Sequence, residues 1–562
     1  MARGAALMSR VGPAAWALVL YLCLSLVFFG LPVAGDLGST SISADDLDAS
    51  AYMWFFGWWP HALLEGMDPI RTHVIFVPEG YNLAWTTAMP GPSLVLAPVT
   101  LAFGPLATWN TIMLLGPALG AWTGFLLCRE LTGAVAPSLV GGYVFGFSPY
   151  VLANMQGGPN LVLVALVPVL VLLVVLSVRG RIGRRAFLAS MTAALAFQFL
   201  TSTEVLLMCG VFGGIALLAA FALLPEWRER LRETLKLLVV ASLGAIVLVS
   251  PLLWFMLFEP YTAPEQALKE FPADVASFVV PSPFIELATT HEPGEGPSYA
   301  IGFAYLGLPL AVLLGLFALE ARRRRAARVV LVVLAATVVA SLGTELVVAG
   351  HRTGVPLPWA AVDWLPGLQY AIPVRFTGFT FLVAGVAAAL WLSWGGGRGR
   401  WALAAIAIAF ILPNVGNTIW QTPLYDPPLF AGDDAHHEVI RDDDRVLIVP
   451  AWGANMRWQA QSGYDFRMVG GYVGAFPESY QRYPAWHTLL SGRPGPGHGR
   501  ELRRFVRDKG VTVVLLPDTH RGPWTRLLGT LGVRPERVGG VLVYRLRPLR
   551  SRASMMPVST AR

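Results

Sequence analysis

Residues 48–63 of the 562-residue chain read DASAYMWFFGWWPHAL. Apolar side chains recur in it at intervals of three and four residues, the spacing of one face of an α-helix: Tyr52, Phe55, Phe56, Trp59 and Leu63. Aromatic rings anchor helices at the headgroup level of a bilayer. We therefore expect a helix that lies on a membrane surface, with Trp54, Trp58, Trp59 and His61 on its juxtamembrane aromatic face.

The composition around this stretch indicates a membrane protein. Hydrophobic residues make up 55% of the chain and charged residues 14%, and the mean hydropathy is +0.57; these values exclude a string of soluble domains. The net charge of +7 could suggest a nucleic-acid partner, but the basic residues lie between apolar stretches and in the tail, so we expect none. All three cysteines fall inside apolar stretches, which offers no disulfide framework.

Eleven apolar stretches have the roughly 18 to 25 residues needed to cross the ~30 Å hydrocarbon core of a bilayer. They cover residues 13–34, 107–128, 134–153, 160–178, 186–203, 205–224, 235–258, 300–319, 328–346, 376–394 and 401–420. The stretch 90–104 is shorter and contains Pro90, Pro92 and Pro98. We expect a juxtamembrane or re-entrant helix there instead of a twelfth span.

The arginines predict the orientation. With eleven spans and a cytoplasmic N-terminus, 18 basic residues before position 421 lie inside and only four outside (Arg71, Lys269, Arg352 and Arg375), as the positive-inside rule requires. The end of the first stretch resembles a signal-peptide cleavage site, but its length favours an uncleaved span. We expect a multi-pass protein of the bacterial inner membrane with its C-terminal domain outside.

Two regions follow from this topology. Residues 1–420 form a transmembrane module with large outer loops at 35–106 and 259–299. Residues 421–562 form an extracytoplasmic tail, in which short apolar stretches at 445–450, 511–516 and 540–544 predict strands and the segments 500–508 and 524–531 predict amphipathic helices. Such an alternation is typical of a small α/β domain.

Asp48 stands at the predicted start of the aromatic helix. One interpretation is a helix N-cap, a role that Asp45 or Asp46 could fill equally well. The other is a carboxylate at the bilayer surface that takes a proton from a sugar hydroxyl. The two roles are compatible, because a capping carboxylate becomes a stronger base once a bound substrate desolvates it.

The order of these features resembles a known superfamily. Asp48, Trp54 and Trp58-Trp59-Pro60-His61-Ala62-Leu63 are followed by Pro78-Glu79-Gly80-Tyr81-Asn82-Leu83, many spans and an outer tail. This arrangement resembles the GT-C superfamily of integral membrane glycosyltransferases, in particular bacterial members. The resemblance implies transfer of a sugar from a polyprenyl-phosphate-linked donor to an outer glycan, lipid or protein acceptor, usually with inversion. Asp48 then acts as the general base or orients the acceptor.

Two further residues are candidates for this site. Arg375 lies at the mouth of a predicted span and can fork two hydrogen bonds to a donor phosphate; snorkelling to lipid headgroups is the alternative. Glu204 lies at the outer boundary between two spans and is a possible second acid or metal ligand. Its alternative is a structural role in a loop capped by Thr201, Ser202 and Thr203.

We expect no cofactor, and a divalent metal is the less favoured alternative. Some members of the superfamily carry an acidic pair in the loop that corresponds here to Asn154–Asn160, which has no acid. His436 and His437, near Asp442–Asp444, resemble a metal site in composition, but a solvated linker is the favoured interpretation.

Two other functions compete with glycosyl transfer. A lipid or polysaccharide transporter or flippase usually has duplicated halves and ionisable groups at mid-membrane, which this sequence lacks. A non-catalytic envelope assembly factor is also compatible with the pattern, and it would not require Asp48.

Overall fold

A computed structural model describes residues 12–43, 47–259, 271–287, 302–365, 367–416, 418–431, 435–451, 453–474, 476–495 and 497–546. The chain divides into two compact units. The first comprises Met1–Pro60 and Ala84–Leu424, and the second comprises His61–Leu83 and Tyr425–Arg562. The predicted boundary at residue 420 lies close to Leu424, but the prediction assigned residues 61–83 to the transmembrane module.

The first unit is helical. The helices that overlap the predicted spans are Pro13–Val33, Ala97–Thr132, Val135–Gly146, Pro149–Asn154, Pro159–Val162, Leu166–Val178, Arg184–Thr201, Thr203–Leu223, Arg228–Phe258, Leu308–Ala321, Arg325–Ser341, Thr377–Ser393 and Arg398–Phe410. Each of the eleven predicted spans overlaps one or two of them. Seven helical segments among the described residues are long and apolar enough to cross a membrane, so the protein is a multi-pass membrane protein and the count of eleven stays a prediction.

Glycines allow the central helices to pack closely. The Val135–Gly146 helix packs against both Ala97–Thr132 and Thr377–Ser393. A methyl group at Gly146 would overlap the backbone of Pro117 and Ala121, and one at Gly141 would lie 2.6 Å from the carbonyl oxygen of Gly385. Within a bilayer the hydrophobic effect does not drive helices together, so association depends on the close packing that small residues allow.

The predicted short helix at 90–104 is present. It consists of Pro90–Val95 and the first turns of Ala97–Thr132, and these turns are separated from the rest of that helix by Gly104, whose φ of +81° is not helical. Glycine adopts this conformation without the steric penalty of a Cβ atom. The break therefore lies where the prolines and the short apolar length predicted a boundary.

The start of the first outer loop is fixed to the helical unit. Thr40–Ser41 pairs with Thr422–Pro423 in a two-stranded antiparallel sheet. Asn110 accepts a hydrogen bond from the Ile42 amide at 2.7 Å and donates one to the Thr40 carbonyl at 3.1 Å. These bonds hold the chain just before the helix Asp48–Leu64, called the aromatic helix below. A further hairpin joins Glu345–Val348 to His351–Pro356.

The second unit contains the predicted α/β domain. Its five-stranded sheet has the order Glu536–Val538, Val541–Arg545, Val513–Pro517, Arg445–Ile448 and Arg467–Met468. The last three strands are parallel and the first two form an antiparallel hairpin. Helices lie at Ala454–Gln461, Glu478–Gln481, Pro484–Ser491, His498–Lys509 and Pro523–Gly529. All three predicted strands and both predicted helices are present.

Part of the first outer loop belongs to this second unit. The Phe76 amide donates to the Gly470 carbonyl at 3.0 Å, and the Met468 amide donates to the Val74 carbonyl at 2.8 Å, so the segment runs beside the edge strand. Lys509 pairs with Glu79 at 2.6 Å. Glu79 lies in the short hairpin formed by Arg71–Thr72 and Tyr81–Asn82.

Candidate functional site

The aromatic helix positions two polar side chains one turn apart. Asp48 is its first residue and is partly buried, and Tyr52 follows four positions later. Residues four apart on a helix lie on the same face. The position before Asp48 is Leu47, so Asp48 lies in the first turn, where the helix dipole favours a negative charge. The alternative caps Asp45 and Asp46 lie outside the described residues.

The aromatic rings of this helix do not face lipid headgroups as we expected. Trp54, Trp58 and Trp59 are buried within the protein, and the Trp54 and Trp58 rings stack with their centroids 5.2 Å apart. The Trp59 indole donates to the Ala88 carbonyl at 3.0 Å. His61 is partly exposed and lies against the Tyr464 ring, and burial lowers its pKa below the ordinary value. The tryptophan side chains of the helix thus pack inside the protein, and this packing fixes the position of the residues at the start of the helix.

A hydrogen-bond chain links Tyr52 to the short helix Pro159–Val162 and to the start of the helix Thr203–Leu223. The Tyr52 hydroxyl donates to Asn160 Oδ1 at 2.8 Å, and Asn160 Nδ2 donates to Ser202 Oγ at 3.3 Å. Ser202 is the N-cap of the Thr203–Leu223 helix and accepts from the Val205 amide. Because Asn160 and Ser202 are buried, these bonds satisfy polar groups that water does not reach.

Glu204 and Arg375 form an ion pair. Arg375 Nη1 lies 2.6 Å from Glu204 Oε2, and each side chain is 21% exposed. Glu204 lies in the first turn of the Thr203–Leu223 helix. Arg375 lies on the short 3₁₀ turn Pro373–Phe376, between the buried residues Val374 and Phe376. Of the three residues that could cap this loop, Ser202 is the N-cap of the helix. Glu204 itself pairs with Arg375.

Three charged side chains affect the pKa of the Tyr52 hydroxyl. The pKa of Tyr52 is raised, chiefly by burial and next by the negative charge of Asp48; the positive charge of Arg375 opposes this effect, and Glu204 adds to it. Asp48, Glu204 and Arg375 are therefore near enough to Tyr52 for their charges to affect its ionisation, although they are far apart in the sequence. Asp48, Tyr52, Glu204 and Arg375 are called the Tyr52 cluster below.

The Tyr52 cluster contains groups that can take part in proton transfer and anion binding. It offers a carboxylate that can accept a proton, a hydroxyl oxygen that can accept a hydrogen bond, and a guanidinium that can bind phosphate oxygens. Glu204 Oε1 is buried and has no hydrogen-bond donor among the described residues. A buried carboxylate oxygen without a donor is uncommon in proteins and marks the cluster as a place where a further polar group can bind.

Comparison with known proteins supplies the family. The family model for the domain of unknown function DUF6311 matches residues 17–412. The chain belongs to the DUF6311 family. No curated protein matches the sequence.

Solved structures share the fold of this DUF6311 chain. The archaeal oligosaccharyltransferase AglB from Archaeoglobus fulgidus, in complex with an inhibitory peptide and a dolichol-phosphate, matches with a TM-score of 0.54 and 11% identity over 97% of this chain and 75% of AglB. The arabinofuranosyltransferase AftD from Mycobacteria matches with a TM-score of 0.58 and 15% identity over 95% of this chain but only 40% of AftD.

A third structure has nearly the same extent as the DUF6311 chain. ArnT from Cupriavidus metallidurans in the apo state matches with a TM-score of 0.50 and 14% identity, covering 95% of this chain and 99% of ArnT. AglB, AftD and ArnT are all GT-C proteins. The predicted GT-C-like fold, with a helical membrane region and a small C-terminal α/β domain, is therefore confirmed.

Sequence reasoning identified three of the four residues in the Tyr52 cluster of the DUF6311 chain and missed the fourth. Tyr52 was assigned to the aromatic face, and Asn160 was noted only as part of a loop without acids. The available signal was spacing, since Tyr52 lies four residues after Asp48 and a helix places both on one face. Nothing in the sequence indicated the link from Tyr52 to Asn160, which spans 108 residues.

Proposed function

We propose that the protein is a membrane glycosyltransferase that transfers a sugar from a polyprenyl-phosphate-linked donor to an acceptor on the outer side of the membrane. The observation that supports this proposal is the Tyr52 cluster: Arg375 pairs with Glu204 at 2.6 Å, and the charges of Asp48 and Arg375 both act on Tyr52. The dolichol-phosphate in the AglB complex supports a lipid phosphate as part of the donor.

Arg375 binds the donor phosphate in this proposal. A guanidinium carries five N–H donors in a planar fork, so it can hold a carboxylate and a phosphate oxygen together. Glu204 is the positioning residue, because its 2.6 Å contact fixes the guanidinium. The buried turn Pro373–Phe376 restricts the backbone below it.

Asp48 is the proposed catalytic base. An acceptor hydroxyl oxygen attacks the anomeric carbon from the side opposite the phosphate and forms the new glycosidic bond, while its proton passes to the Asp48 carboxylate. The bond between the anomeric carbon and the phosphate oxygen breaks, and its electron pair stays on the phosphate. Polyprenyl phosphate leaves with one more negative charge than the donor phosphodiester had, and Arg375 stabilises that charge.

Tyr52 completes the arrangement. Its hydroxyl is fixed by Asn160 at 2.8 Å, and its raised pKa keeps it protonated during the reaction. A protonated hydroxyl beside Asp48 can orient the acceptor or the sugar without competing for the proton.

The finer features of the proposal follow from the sequence. We propose inversion at the anomeric carbon and a metal-independent mechanism, since the loop Asn154–Asn160 contributes amides and no acid. The basic residues support a bacterial inner-membrane protein with the Tyr52 cluster and the C-terminal unit outside. The acceptor is a glycan, lipid or protein of the cell envelope.

Donor turnover by the purified full-length protein tests the proposal. Radiolabelled polyprenyl-phosphate hexoses and pentoses are supplied with envelope extract as the source of acceptor, and release of polyprenyl phosphate is measured. We expect turnover of at least one donor and loss of at least 100-fold in Asp48→Asn. Asp36→Asn is the matched control, because Asp36 is an exposed acid in the same loop. Full activity of Asp48→Asn would contradict the assignment of Asp48 as the base, and absence of turnover by the wild type would favour a non-catalytic assembly factor.

A further inference from the structure

The second unit brings together three metal-ligating side chains. His436 and His437 lie on the 3₁₀ turn Ala435–Glu438, and Asp465 lies 28 residues later, just before the edge strand Arg467–Met468. Asp465 Oδ2 is 3.7 Å from His436 Nε2 and 3.5 Å from His437 Nε2. One ligand atom from each residue lies within 4.8 Å of the others. Among the described residues this is the only such group of three.

The backbone just before Asp465 has an unusual conformation. Gly463 and Tyr464 both have a φ of +64°, and a left-handed conformation is rare for an aromatic residue. These two residues turn the chain between the Ala454–Gln461 helix and Asp465. On the other side, the buried His436 ring packs beside the Phe466 ring with centroids 6.3 Å apart. The turn therefore directs Asp465 back towards both histidines.

The nearby acidic stretch does not belong to this group. The buried Asp444 pairs with Arg545 at 3.2 Å and accepts from the Thr512 hydroxyl at 2.7 Å, and it also accepts from the Arg441 amide at 3.0 Å. Asp442 and Asp443 are exposed. The sequence suggested a metal site by composition around these acids, whereas the residue that meets the histidines is Asp465.

We propose that His436, His437 and Asp465 bind one Zn²⁺ ion. Zinc bonds to imidazole nitrogen and carboxylate oxygen are about 2.0–2.1 Å long, which places the ligand atoms of a tetrahedral site about 3.4 Å from one another. The two separations between Asp465 and the histidines, 3.5 and 3.7 Å, need to close by only a few tenths of an ångström, and the separation between the two histidine ligand atoms is within 4.8 Å. Two imidazoles with one carboxylate favour zinc over magnesium or calcium, which prefer oxygen ligands.

The site is open on one side. The His436 side chain is 4% exposed, whereas His437 and Asp465 are 43% and 49% exposed. An ion can therefore enter from solvent, and water fills the fourth position of the tetrahedron. Because the ligands come from two separate segments, the ion joins the 3₁₀ turn to the sheet edge and raises the stability of the second unit.

Zinc titration of the full-length protein tests this proposal. The protein is purified in detergent without a polyhistidine tag and stripped with a chelator; ZnCl₂ binding is then measured by calorimetry and by the shift in thermal unfolding. The test variants are His437→Ala and Asp465→Asn, whose side chains are partly exposed and whose replacement spares the core. The controls are His487→Ala, an exposed histidine of the same unit, and Asp443→Asn from the neighbouring acidic stretch.

We expect one zinc ion per chain, a rise in unfolding temperature on zinc addition, and at least tenfold weaker binding in both test variants. The controls should bind zinc as the wild type does. MgCl₂ should produce neither heat nor stabilisation. Absence of zinc binding by the wild type, or equal loss in the test and control variants, would overturn the proposal. Neither outcome depends on glycosyl transfer, so the result is independent of the proposed function.

Discussion

Replacing Glu204 with Gln tests whether Arg375 binds phosphate. The substitution preserves the shape of the side chain and removes the charge that faces Arg375 at 2.6 Å. The guanidinium then stays at a partly buried position without its counter-ion. We expect the folded protein to be less stable, and we expect a phosphate to compensate for the missing carboxylate.

The size of the effect follows from the burial of the pair. Two unit charges about 4 Å apart attract by about 4 kcal/mol at an effective dielectric constant of about 20. Loss of one partner costs about 3–5 kcal/mol when a pair is fully buried, and an exposed pair contributes only about 0–1 kcal/mol. Since about a fifth of each side chain is exposed, we expect Glu204→Gln to lower the free energy of unfolding by about 2 kcal/mol.

Thermal unfolding with and without polyprenyl phosphate measures both parts of the prediction. Ligand should raise the unfolding temperature of Glu204→Gln more than that of the wild type, because its phosphate replaces the missing negative charge beside Arg375. Glu320→Gln is the matched control, since Glu320 pairs with Arg400 at 2.7 Å in the same unit. The control should lose stability without a larger ligand effect. Equal ligand-induced shifts in the wild type and Glu204→Gln would refute the reasoning that the phosphate replaces the Glu204 charge beside Arg375.

Three further predictions concern other parts of the molecule. Tyr52→Phe removes the 2.8 Å bond to Asn160, so it should lose about 1–2 kcal/mol of stability in thermal unfolding and slow donor turnover less than Asp48→Asn does. Gly146→Ala should greatly reduce the yield of folded protein, measured by size-exclusion chromatography, because its methyl group meets backbone atoms; Gly213→Ala, where space is open, should not. Burial lowers the pKa of Lys509 below 10.5, so as the pH rises towards 10.5 the folded chain loses a proton that the unfolded chain retains, and the stability of the wild type should rise relative to that of Lys509→Met; a difference in unfolding temperature that does not change with pH would contradict this.

Much of the fold was predictable because it depends on local apolar length. Each predicted span contains a helix, and the prolines before Gly104 correctly indicated a separate short helix. The last stretch was predicted to reach residue 420, but its helix ends at Phe410, since Pro413 and Gly416 do not favour helix. Hydropathy alone therefore placed the end of this span too late in the sequence.

The candidate site was predictable residue by residue but not as a cluster. Asp48 was indicated by its position at the start of the aromatic helix and by the resemblance to GT-C proteins, Arg375 by its position at the mouth of a span, and Glu204 by the cost of an acid at a membrane boundary. Glu204 and Arg375 are 171 residues apart in the sequence and meet only through helix packing. No pattern in a single sequence indicates such a contact. The aromatic stripe was misread for a related reason, because periodicity indicates which face is buried but not whether lipid or protein covers it.

The location of bound polyprenyl phosphate tests the central claim most directly. A cryo-EM structure of the full-length protein with polyprenyl phosphate should show the phosphate within salt-bridge distance, about 4 Å, of the Arg375 guanidinium, with Asp48 and Tyr52 facing the same space. A phosphate bound elsewhere, with Arg375 still paired only with Glu204, would contradict the account.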